Sequence, residues 1–230
     1  MPAFRLSVWG PGLDPIRGGQ LAEVFEGEER VARLRVTRAG ARMYRHDAAR
    51  LGRVRPSAEG VVLVDRSAET RCAGHVDPLG VRLDCGDDGV LLGAWRDDGS
   101  FDARVDETWL GTREPTPAEL LDEGSGDAPP VLERWRMPEG ELACTEQGAV
   151  FEATESLGER RFTFRPGTPL GVGCAMAFGL VTVPDADDEQ RGMLAWALWT
   201  SALRHAEQAA EGSGDAESAA GAEGGSGLGL

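Results

Sequence analysis

From Phe4 to about Arg165, short β-prone stretches alternate apolar and polar residues and are separated by turn chemistry at near-regular intervals. That pattern predicts antiparallel strands rather than βαβ units. The clearest part is a meander. Asp87-Asp88-Gly89 and Asp97-Asp98-Gly99 suit tight turns, because Asp and Gly tolerate positive φ. Around them Val81–Cys85, Val90–Trp95 and Phe101–Val105 read as three successive strands. The same logic places strands near Phe4–Trp9, Leu21–Phe25, Val31–Thr37, Arg42–His46, Val61–Asp65 and Thr70–Val76. Further strands follow near Leu132–Arg136, Glu141–Thr145, Ala149–Glu152 and Arg161–Arg165. About a dozen strands exceed a minimal sandwich, so the sheet is expected to close into a barrel or to form two packed layers.

The pattern then changes. Leu170 to Val183 and Met193 to Leu203 are apolar and rich in small residues, which predicts helical material buried by the β-structure. In the first segment Gly171, Ala175 and Gly179 fall at i, i+4 and i+8, so a helix there has one smooth face, and Pro184 ends it. Asp187 or Asp188 caps a second helix running to about Ala209. Either segment could be the central one. The fold class expected is therefore mainly β, a barrel or paired sheets around a buried C-terminal helical segment, forming one domain over residues 1–209. Residues 114–130, rich in Pro and Gly, interrupt the strands and could join two lobes. Residues 210–230 read as a disordered acidic Gly/Ser/Ala tail, with Leu228 and Leu230 as a conceivable docking tip.

A run of about a dozen strands ending in the basic-aromatic strand Arg160-Arg161-Phe162-Thr163-Phe164-Arg165, followed by an apolar helix, resembles the tubby C-terminal, LURP-one and scramblase-like superfamily. The resemblance lies in element order over most of residues 4–208 and in no diagnostic motif. It implies a closed barrel wrapped around a hydrophobic helix near the C-terminus. Tubby-type barrels bind phosphoinositide through basic side chains, and no lysine and no basic cluster are expected here to carry that activity over.

The net charge is −15 and the pI about 4.6, which disfavours nucleic acid and anionic membrane surfaces as partners. All cationic side chains are arginine, so Schiff-base lysine chemistry and P-loop or kinase-type lysines are excluded. Neither apolar segment reaches the ~18–20 residues of a membrane span, and residues 1–5 show no export signal. A cytoplasmic protein with reduced thiols is expected.

Candidate chemistry is sparse. Cys72 and His75 form a Cys-x-x-His half-site with Cys85 ten residues on, and a metal there would need Cys144 or Asp84 to converge. His46, His75 and His205 are the only histidines, and no Gly-x-Ser-x-Gly elbow nominates a serine beside them. The carboxylates of Asp84, Asp87, Asp88, Asp97, Asp98 and Asp102 suit turns first and a calcium ion second. Gly171-Val172-Gly173 lacks the third glycine of a dinucleotide fingerprint, so no cofactor is implied. Trp196 and Trp199 lie three apart on the second helix, where core packing is the default and a ligand pocket the sharper reading. The residues point to a non-enzymatic binding or scaffold protein with a protein or small-molecule partner. The alternatives are a small-molecule-binding barrel with modest enzymatic activity and a cargo or adaptor protein that docks through its tail.

Overall fold

The computed structural model describes residues 19–37, 40–44, 50–115, 130–154 and 158–220, with residues 211–220 as backbone alone. Fourteen strands form one closed antiparallel barrel. In chain order they are β1 (Gln20–Glu26), β2 (Glu29–Thr37), β3 (Gly40–Tyr44), β4 (Arg50–Ser57), β5 (Gly60–Val64), β6 (Thr70–Val76) and β7 (Gly80–Asp84). Then come β8 (Val90–Trp95), β9 (Phe101–Val105), β10 (Thr108–Glu114), β11 (Glu133–Met137), β12 (Gly140–Thr145), β13 (Gly148–Ala153) and β14 (Glu159–Phe164). Each strand pairs with its chain neighbours, and β14 returns to β1 with Val24 opposite Phe164. Closure removes the exposed edges that an open sheet of this size would present.

The period-two pattern decides which side chains enter. Ala22 and Val24, Leu34 and Val36, Ala41 and Met43, and Phe162 and Phe164 are buried inward, while Arg42, Arg53 and Arg161 between such positions stay exposed. Two strands were not expected from the sequence. In β4, Arg-Leu-Gly-Arg-Val-Arg-Pro-Ser supplies little apolar alternation, and β10 carries a bulge between Trp109 and Gly111 that shifts its period. Both are held by ladders on either side. The expected strand at Phe4–Trp9 lies outside the described residues. Of the 114–130 segment, residues 116–129 also lie outside them, yet β10 pairs directly with β11 across it, with Thr112 opposite Arg136, so the sheet is continuous.

Two helices occupy the barrel. The first, α1 (Leu170–Thr182), has every residue from Val172 to Leu180 buried, and it packs on β1, β11, β12 and β13. The second, α2 (Asp188–Ala220), buries Met193 to Leu198 and packs on β2, β3, β4, β6 and β7. Neither helix alone is central. They form a hairpin that shares the interior, and at Gly173 a side chain would collide with Phe164 of β14 at 2.9 Å. The second helix runs to Ala220 rather than ending near Ala209. Its extension beyond Ala209 mixes Ala and Glu with the poor helix formers Gly212 and Gly214, so it continues because the buried first half has already met the cost of nucleation. Residues 221–230, with Leu228 and Leu230, lie outside the described residues.

The expected reduced thiols are replaced by two disulfides, Cys72–Cys85 and Cys144–Cys174. The β6–β7 register, with Ala73 opposite Asp84, brings Cys72 beside Cys85 with Cα atoms 4.1 Å apart. Cys144 faces inward from β12 and meets Cys174 of α1, a contact that exists only because the helix enters the barrel.

Candidate functional site

The interior where a barrel would hold a ligand is filled. A residual cavity of about 20 Å³ remains between the strands and helices, bordered by Leu34, Met176, Leu180 and Gly192. That is room for about one water. Trp196, 1% exposed, donates its indole N–H toward the Thr37 carbonyl at 3.4 Å, and Trp199 lies half-buried over Gly171 of α1. Both tryptophans pack the hairpin into the barrel wall, and neither borders this cavity.

The Cys72, His75 and Cys85 grouping does not hold together as a metal site. The two sulfurs are bonded to each other, which removes the thiolates a metal needs, and His75 is exposed on the outer face opposite Arg82. Among the described residues no three His, Cys, Asp or Glu side chains converge on one point. The meander aspartates are divided, because successive hairpin turns lie at opposite ends of an antiparallel barrel. Asp84 accepts the Gly86 N–H at 2.9 Å. Asp98 accepts from the Ser100 hydroxyl at 2.6 Å and its N–H at 2.9 Å, bonds that hold its carboxyl below the usual range. His46 lies outside the described residues.

A polar cluster closes the barrel end through which α2 leaves. Trp95 stacks on His205 with centroids 4.1 Å apart and donates its indole N–H to Ser201 Oγ at 3.1 Å. Ser201 in turn donates to the Asp77 carbonyl at 3.1 Å, and His205 Nδ1–H donates to the Pro78 carbonyl at 3.0 Å. Arg113 and Glu133, both buried, pair at 3.3 Å, and Trp135 donates to Glu133 at 2.8 Å. The Ser201 hydroxyl and the His205 imidazole are thus committed to backbone carbonyls, so they tie the helix to the rim rather than poising a nucleophile.

At the opposite end the α1–α2 loop borders a cleft of about 520 Å³, where Arg50, Arg66, Arg71 and Arg191 face Asp65, Asp187, Asp188 and Glu189. Burial raises the Glu189 carboxyl above its ordinary pKa, and Asp187 and Asp65 add to the rise against the opposing Arg71. A carboxyl whose pKa is raised on folding costs stability once pH exceeds the ordinary glutamate value. Glu189→Gln should therefore raise the melting temperature at neutral pH. The gain should vanish as pH falls below that value, which a melting series across pH reads directly.

The outer wall of β2–β4 carries a row of arginines. Arg35 of β2 lies directly opposite Arg42 of β3, and Arg42 directly opposite Arg53 of β4. This overturns the expectation of no basic cluster. The sequence scatters these residues, and strand register assembles them. In the same outer layer, Arg33 lies opposite Tyr44 with its guanidinium 5.2 Å from the ring centre, and Arg55 follows two residues after Arg53. The middle of β1 adds a buried acid, Glu23, whose carboxylate meets Arg30 at 3.0 Å, Arg33 at 3.2 Å and Arg165 at 2.8 Å. The signal legible in the sequence was the Arg-x-Arg spacing at 33/35 and 53/55, which puts both members of each pair on one face. Comparisons with protein-family models, curated proteins and solved structures return no match for the chain.

Proposed function

We propose that this chain is a non-enzymatic binding or scaffold protein that acts through the outside of its barrel. The observation that carries the reading is the filled interior: the volume a ligand-binding barrel keeps open is occupied by α1 and α2. The tubby-like resemblance enters as a proposal on the same footing, supported by the closed barrel around an apolar C-terminal hairpin. Fourteen strands and two helices extend the element order from which it was drawn.

The test is uptake of a fluorescent fatty-acid analogue, followed by energy transfer from the buried tryptophans. No saturable transfer is expected. Saturable, stoichiometric uptake would instead favour the small-molecule-binding barrel and sink the surface reading. Docking through residues 221–230 is the third reading, and a chain ending at Ala220 that loses a stoichiometric partner would establish it.

A further inference from the structure

We propose that the outer face of β2–β4 docks an extended acidic segment of a partner protein, an inference that rests on the surface-binding reading and names the partner's chemistry. Neighbouring strands lie about 4.8 Å apart, so Arg35, Arg42 and Arg53 place three guanidinium stems within about 10 Å. Like charges directly opposite each other on a sheet are unfavourable. Elsewhere in the barrel like charges that face each other have counter-charges beside them: in the acidic row Glu141, Glu152 and Glu159 across β12–β14, Glu141 pairs with Arg134 and Glu159 with Arg161, and Glu26, opposite Glu29, pairs with Arg160 through two bonds of 2.8 and 2.9 Å. Among the described residues no carboxylate lies at ion-pair distance from Arg35, Arg42, Arg53 or Arg55. An anionic partner supplies the carboxylates that the described residues do not bring to this face.

Size and charge select the kind of anion. Arg33 and Arg35, and likewise Arg53 and Arg55, stand two residues apart along their strands, a repeat of about 6.8 Å. An extended peptide with acidic residues at alternate positions carries carboxylates at the same repeat, and each guanidinium fork fits a carboxylate edge. Duplex nucleic acid or an anionic bilayer would reach beyond the arginines over the rest of a molecule of net charge −15. With a screening length of about 8 Å at physiological salt, only a partner confined to the arginine face feels attraction without that repulsion. A polar partner also fits the surroundings, because Leu79 is the one large apolar side chain strongly exposed among the described residues.

The experiment is fluorescence anisotropy of the full chain with a labelled peptide of alternating Glu and Ser. Saturable binding is expected, weakening roughly tenfold between low and physiological salt, as for contacts made mainly of exposed ion pairs. Combined Arg35→Ser, Arg42→Ser and Arg53→Ser should abolish binding while leaving the melting temperature unchanged or higher, since like-charge repulsion is removed. Arg136→Ser, on a distant strand, should bind as the parent does. Absence of saturable binding, an unaffected triple variant, or stronger arginine-dependent binding of a short DNA duplex or of phosphatidylserine vesicles would each overturn the proposal. If the peptide fails while the fatty-acid analogue is also not taken up, this face is wrong and the surface reading still stands.

Discussion

Replacing Trp196 with alanine should cost about 3–5 kcal/mol, the range for truncating a large aromatic side chain in a packed core. The indole sits at 1% exposure on α2, midway along the part of the helix buried from Met193 to Leu198. The surrounding barrel is closed by continuous hydrogen bonding, so its wall cannot collapse to refill the space, which puts the cost toward the upper part of the range. Trp196→Phe should cost less, because it keeps most of the ring volume and gives up only the bond to the Thr37 carbonyl. Denaturant unfolding monitored by circular dichroism measures both. An alanine variant with the parent's midpoint would mean that α2 is not part of the core.

Breaking Cys144–Cys174 is the second large effect. The bond closes a loop with a sequence separation of 30, and the chain-entropy relation gives about 3–4 kcal/mol for a loop of that length. Cys72–Cys85, with a separation of 13, should contribute slightly less, about 3 kcal/mol. The two also differ in location. Cys144 and Cys174 are both fully buried, so a reductant reaches them only after the helix loosens from the wall, whereas Cys85 is partly exposed. Mild reduction should therefore open Cys72–Cys85 first and leave most of the stability in place. Alkylation and intact mass before reduction should find no added label. Four labelled thiols in the native protein would restore the reduced-thiol expectation and remove both contributions.

The strands most legible in the sequence are those whose own residues alternate cleanly and whose turns carry Asp-Gly or related pairs. Val81–Cys85, Val90–Trp95 and Phe101–Val105 were placed nearly residue for residue as β7, β8 and β9. Burial of both C-terminal segments was equally legible, since Met193 to Trp199 has no polar side and no helix so composed can face water. These features are local. Each follows from a residue's identity and its near neighbours along the chain.

What tertiary structure alone decided is everything that depends on which strands lie side by side. Alternation tells each arginine to face outward, but only register sets Arg35 against Arg42 and Arg42 against Arg53, forming a basic face within an acidic chain. Register likewise bonds Cys72, of the Cys72–His75 metal half-site, to Cys85 in a disulfide, and barrel closure carries Cys174 to Cys144. The strand β4 exists because β3 and β5 flank it, not because its own sequence is apolar. Trp196 and Trp199 became packing residues because the hairpin of α1 and α2 fills the space that a single helix would have left partly open. Hydrophobic period is a property of one strand, whereas pairing, closure and filling are properties of the assembled barrel, so the sequence determined the inward and outward faces and the fold determined their neighbours.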